Sequence, residues 1–200
     1  MNQDRRDLLR DAAIEVLAEE GGRGLTHRAV DTAAEVPPGT AKNYFPSRDA
    51  LLRAVAERCV EQYHEVMARS TAAGPPKDRE GLAGMLGALL KDVAGPGRAR
   101  MLAYLELQNE SARKDWLSEV LGVVAAADLA GLEEAQRAAR LPVTPQRAAA
   151  VTLALHGAIP RLLADGPAVL AAAGLDDPDR FVRDLLDAVY PDNPRPPGTS

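Results

Sequence analysis

The segment 38–44 offers chemistry that a core-forming helix does not. Pro38, Gly39, Thr40, Ala41, Lys42, Asn43 and Tyr44 carry hydroxyl, amide, phenol and ammonium groups and few packing groups. Such groups suit phosphate oxygens and base edges, and a glycine lets the backbone approach closely. This is the chemistry of recognition, and a plain polar surface helix is the alternative that the residue types alone leave open. A reacting constellation is harder to assemble. His27, His64 and His156 lie far apart with no metal-ligand spacing. The chain has no glycine-rich phosphate loop and no serine or cysteine nucleophile signature. Glu133, Glu134, Asp176 and Asp177 sit in charged or loop contexts and read as solvated groups. The expectation is a protein with no catalytic residues, metal or cofactor, and a small-molecule-modifying enzyme is the remote alternative.

The elements that must position these groups read as helices throughout, an all-α fold without strands. Leu8, Leu9, Ala12, Ala13, Val16 and Leu17 give 4–20 an apolar stripe, and Gly21-Gly22 stops it. Thr26 caps a short helix 26–34, and Val36 to Gly39 break the chain. Pro38 suits the first position of a third helix, 38–44, which must end before Pro46. Two short helices joined by a tight turn match a helix-turn-helix by spacing. Ser47 caps a fourth helix running to about residue 72. Further helices are expected at 78–94, 97–110, 113–140, 145–165 and 178–189, with Thr144-Pro145 and Asp177-Pro178 as paired start signals.

Charge qualifies this picture. The net charge is −5, yet between Gly21 and Arg48 the positive Arg23, Arg28, Lys42 and Arg48 outnumber Asp31 and Glu35. A small reading head needs only a favourable local field. Asp31 and Glu35 read as a solvated face directed away from DNA. His27 reads as an exposed first-turn residue, with a pH-sensitive phosphate contact as the alternative. The lone Cys59 sits in an apolar helical pattern and reads as a buried thiol. The charged N-terminus and the absence of any run of about 20 apolar residues point to a cytoplasmic protein with no membrane partner.

The C-terminal part suggests assembly and a cavity. The helix from Thr144 is apolar nearly all round, and 178–189 carries one broad apolar stripe. Val151, Leu155, Ile159 and Leu162 on the first, with Phe181, Leu185, Leu186 and Val189 on the second, are the candidate homodimer interface. Packing within one subunit is the alternative. Two identical heads about 34–36 Å apart match one turn of duplex and read a palindrome. The candidate effector residues are the flexible Met67, Met85 and Met101, the apolar Leu86, Leu89 and Val120, and the polar or aromatic His64, Tyr104, Gln108, Trp116 and His156. Each taken singly reads more readily as core packing or capping, and it is the set together that suggests a cavity.

The residues Gly24-Leu25-Thr26, Ala33-Ala34, Val36, Gly39-Thr40, Tyr44-Phe45, Ser47-Arg48 and Ala50-Leu51-Leu52 resemble the tetracycline-repressor (TetR) family over roughly residues 5–58. The remainder resembles it in helix number and length. The resemblance implies an N-terminal three-helix DNA-binding domain, 1–46, and a helical effector-binding and dimerisation domain, 47–190, followed by a flexible tail, 191–200. It implies that Thr26 and Arg28 contact phosphate and base edge, and that Thr40, Asn43 and Tyr44 form the recognition contacts. Arg48 stands at a basic phosphate-binding position, and Phe45 at the buried aromatic that locks the third helix. With His27, Pro38, Gly39 and Lys42, these residues make up the candidate DNA-binding set. It also implies a four-helix dimer interface.

Three departures stand out: Glu35 where the family has glycine, Pro37 where it has a serine cap, and Lys42 where it often has an aromatic. A left-handed backbone at Glu35 costs about 1 kcal/mol. Loss of the serine cap costs about as much. The function implied is a repressor that binds a palindromic double-stranded operator as a dimer and is released by a small, largely apolar effector. A helical interaction module without DNA binding is the alternative.

Overall fold

A computed structural model of the chain describes residues 2–72 and 74–191. Apart from Pro191, the expected tail at 191–200 lies outside them. The described residues form ten helices and no strand, the all-α architecture expected. They are α1 (Gln3–Gly24), α2 (His27–Ala33), α3 (Thr40–Tyr44), α4 (Arg48–Ala72), α5 (Arg79–Ala94), α6 (Arg98–Ser111), α7 (Asp115–Ala138), α8 (Pro145–Ala164), α9 (Pro167–Ala172) and α10 (Pro178–Val189).

The start signals act locally. Thr26 accepts from Ala29 N–H at 3.1 Å, Ser47 from Ala50 at 3.0 Å and Thr144 from Arg147 at 3.3 Å. Asp177 accepts from both Asp179 and Arg180 at 3.1 Å. Each satisfies a helix-end donor that has no partner within its own helix. Two details depart from the expectation. Gly21 does not end α1 but kinks it, at φ 67°, and helix resumes to Gly24. Helix α9 was not anticipated, because its six residues bury no side chain and so leave no apolar period to read.

The chain divides into two compact units, Met1–Ala72 with Gly95–Ala127, and Ala73–Ala94 with Asp128–Ser200. In the first, Leu9, Ala13 and Leu17 of α1 share a core with Val30 of α2, Ala41 of α3, Phe45, and Leu51 and Val55 of α4. Ala103, Leu107, Leu117 and Leu121 complete it from α6 and α7. Ion pairs that periodicity does not reveal staple α1 to α4. Arg10 is only 4% exposed; its Nε donates to the Ala54 carbonyl at 3.2 Å and its terminal nitrogens to Asp7 at 2.9 Å and Glu61 at 2.6 Å. Arg58 crosses in the opposite direction to Asp11 at 2.7 Å. A buried guanidinium persists only when so fully paired, and removing one partner would leave a desolvated charge. Cys59 is buried as expected, and desolvation pushes its thiol up to about 12, so it is chemically inert.

The second unit has its own core. Leu82, Leu86 and Leu90 of α5 meet Val151, Leu155 and Ala158 of α8, Val182 and Leu186 of α10, and Tyr190. Helices α5 and α10 approach closely at Gly87, where a Cβ would stand 2.2 Å from Asp179 Oδ1. Tyr190 is fully buried and donates its hydroxyl proton to Gln136 Oε1 at 2.8 Å.

This core corrects part of the expected dimer surface. Val151, Leu155 and Leu186 are 0%, 5% and 0% exposed within the single chain, so they back the α8 and α10 surface and do not form it. Ile159, Leu162, Phe181, Leu185 and Val189 are half-buried against the same core. Leu153, which the expectation omitted, is 66% exposed.

Candidate nucleic-acid interface

Seven residues make α2 and five make α3, too few for either to be stable alone. What holds them is the turn between and the core beneath. After α2 the chain closes a Schellman turn: Val36 N–H donates to Asp31 O at 3.0 Å and Glu35 N–H to Thr32 O at 3.1 Å. This geometry places Glu35 at φ 51°, the left-handed region where a side chain is strained. Pro37, Pro38 and Gly39 then form a second turn, closed by Thr40 N–H to Pro37 O at 3.2 Å. Gly39 sits at φ 89°, as the third residue of a type II turn requires.

Three expectations need correction here. Pro38 is not the first residue of α3, because the turn places it ahead of Gly39, the N-cap. Asp31 is not on a solvated face: it is 4% exposed and accepts from Gly39 N–H and Ala41 N–H, both at 2.7 Å. It caps α3 from the preceding helix, because the N-cap, Gly39 and not Pro37, has no side chain to do so. No local signal announces this, because the carboxylate acts eight and ten residues downstream. His27 is half-buried, and its Nε2 lies 2.6 Å from the Phe45 carbonyl, which can only accept. Nε2 therefore carries the proton, and the ring ties the start of α2 to the end of α3.

With these ties in place, one side of α3 faces inward and the other outward. Ala41 and Phe45 are 0% and 2% exposed, and Tyr44 packs partly against the same core. Pro38, Gly39, Lys42 and Asn43 are exposed and Thr40 is half-buried. Thr26 and Arg28 are exposed at the start of α2. Arg48 is exposed too, while one of its terminal nitrogens donates to the Gly22 carbonyl. A guanidinium lies 5.2 Å above the Phe45 ring, that of Arg6, which the sequence reading overlooked. The result is a short helix fixed on its apolar side and presenting an ammonium and an amide outward, while the Thr40 hydroxyl donates to the Pro37 carbonyl at 2.5 Å. That arrangement suits phosphates and base edges.

The effector candidates divide between the two units. His64, Met67, Met101, Tyr104, Gln108, Trp116 and Val120 belong to the first; Met85, Leu86, Leu89 and His156 belong to the second. His64 and Gln108 are exposed, which takes them out of any enclosed apolar site. Tyr104, Trp116 and Val120 pack on the first core, with the Arg53 guanidinium 4.4 Å over the Trp116 ring. Met85 and Leu89 pack on the second core, in which Leu86 is buried. His156 Nε2 lies 3.4 Å from Asp128. Among the described residues no helix is long and apolar enough to cross a membrane.

Comparison with known proteins agrees with this geometry. Residues 9–55 match the family model "Bacterial regulatory proteins, tetR family", and residues 77–191 match "Tetracyclin repressor-like, C-terminal domain". The multidrug binding protein EbrR, complexed with ethidium, is 29% identical with a TM-score of 0.65, over 94% of this chain and 99% of that one. A TetR-family member from Streptomyces coelicolor A3 is 26% identical with a TM-score of 0.66, over 94% and 98%. An uncharacterized HTH-type transcriptional regulator of Xanthobacter autotrophicus is 36% identical over 87 residues. That match spans 44% of this chain and 42% of the relative's length.

Proposed function

Since the chain belongs to the TetR family of transcriptional regulators, we propose that it represses by binding a palindromic operator as a homodimer, with α3 of each copy in a major groove. One observation carries this reading: the Asp31 and Phe45 ties expose Lys42 and Asn43 together on a rigid short helix. Thr40, Lys42, Asn43 and Tyr44, with Pro38 and Gly39 bringing the backbone close, are the groove contacts. Thr26 and Arg28 contact phosphate and base edge, and Arg48 holds a phosphate. His27 acts indirectly, by fixing α3. The head corresponds to residues 1–46 and the effector and dimer domain to 47–190.

The dimer surface is the outward side of α8 and α10, with Leu153 added to Ile159, Leu162, Phe181, Leu185 and Val189. Pairing through it would remove a 66% exposed leucine from water. The effector is small and largely apolar. Support comes from EbrR, whose solved complexes hold ethidium, malachite green and proflavin. Such a ligand acts only through different affinities for the DNA-competent and incompetent states.

The test starts from a palindrome in the DNA flanking the coding region, titrated by gel shift at several salt concentrations. Binding weakens steeply with salt, and Lys42→Ala with Arg48→Ala lowers affinity and reduces the logarithmic salt slope by about two for each copy in the dimer. A double variant that binds as tightly as the parent refutes the contacts. Salt-insensitive behaviour of the parent favours the interaction-module reading. Ethidium titrated against operator affinity tests release; unchanged affinity at saturating ethidium refutes release by that ligand class.

A further inference from the structure

Within the first unit, an open cleft of about 270 Å³ lies among α1, α4 and the start of α6. Asp11 and Glu15 reach it from α1, Gln62, Glu65 and Arg69 from α4, and Arg100 from α6. The spacing explains the grouping: residues three and four apart share one side of a helix. Three carboxylates, two guanidiniums and a carboxamide thus line a space at the small end of the range for ligand sites.

Some of these charges are already paired. Asp11 accepts from Arg58 at 2.7 Å and from Gln62 at 3.0 Å, and Glu65 takes Arg58 at 3.3 Å. Glu15 and Arg69 are exposed and have no partner among the described residues. The cleft therefore offers one unpaired carboxylate from α1 and one unpaired guanidinium from α4. A purely anionic ligand meets three carboxylates here, and a purely cationic one meets two guanidiniums.

We propose that this cleft binds a small zwitterion of the amino-acid class, with its ammonium on Glu15 and its carboxylate on Arg69. The occupant lies against Asp11 and Gln62, which with Arg58 fasten α1 to α4. It therefore touches the seat of the reading head directly. The assignment is independent of any apolar effector, and its test does not require the operator.

The full chain is titrated calorimetrically, and its thermal unfolding followed, with each of the twenty amino acids at about ten times a millimolar Kd. Spermidine and citrate serve as single-sign probes, at matched ionic strength. At least one amino acid raises Tm by about 3–6 °C. Glu15→Gln and Arg69→Gln each weaken its binding about tenfold or more. Neither changes the Tm of the unliganded protein, since both side chains are exposed. The proposal is overturned if no amino acid binds, if binding survives both substitutions, or if spermidine or citrate binds more tightly than every amino acid in a manner the two substitutions abolish.

Discussion

Helices α3 and α10 are both started by an aspartate, and the two aspartates stand in different places. Asp177 directly precedes α10 and, with Pro178, completes a start signal contained in the four residues from Asp177 to Arg180. Behind it the helix buries its own Val182 and Leu186. Asp31 belongs to α2 and reaches α3 from a buried position, and α3 buries only Ala41. Helix α10 is thus specified locally, whereas α3 exists because other elements hold it. This frees the outer side of α3 from packing duties, leaving it for Lys42 and Asn43.

The largest effect should come from removing the anchor under α3. Phe45→Ala costs about 3–5 kcal/mol, because a fully buried ring leaves a cavity. A Tm loss of about 6–20 °C by circular dichroism is expected. A loss under 2 °C would mean that α3 is not held from beneath.

The two aspartates give the direct contrast. Asp31→Ala strips acceptors from two backbone N–H groups and costs about 2–4 kcal/mol, against about 1 kcal/mol for Asp177→Ala at an exposed cap. Equal Tm losses would erase the distinction. Gly87→Ala probes the second unit alone. Its Cβ must displace Asp179 and the Lys91–Asp179 ion pair, at a cost of about 1–2 kcal/mol. Urea unfolding with an unchanged slope checks this, and wild-type stability would show that α5 and α10 have room to spare.

The smallest change is a gain. Glu35→Gly relieves a left-handed residue and stabilises by about 0.5–1 kcal/mol, a Tm rise of about 1–4 °C. A fall in Tm would show that the Glu35 side chain contributes more than its backbone strain costs.

Much of the fold was legible because its signals are local. The Ser47, Thr144 and Asp177 caps, the proline starts and the glycine breaks lie within a few residues of what they control, and their helix limits agree with the sequence to within two residues. The left-handed turn at Glu35 was visible as the place where the family keeps glycine. The exposed groups of α3 were legible from composition, because a helix with almost no apolar residues must turn most of them to solvent.

What the sequence could not decide was which polar groups would be used up inside. Asp31, His27 and Arg10 look like surface residues by type and spacing, and each is spent on a partner: Asp31 on Ala41, His27 on Phe45, Arg10 on Ala54 and Glu61. Val151, Leu155 and Leu186 likewise read as interface from their apolar character. Apolar periodicity says that a side chain must leave water, but only the packing determines whether it does so inside its own chain or against a second one. Local propensity and caps therefore fixed the helices, and tertiary structure chose the partners, because burial makes a hydrogen bond or ion pair obligatory whatever the sequence distance.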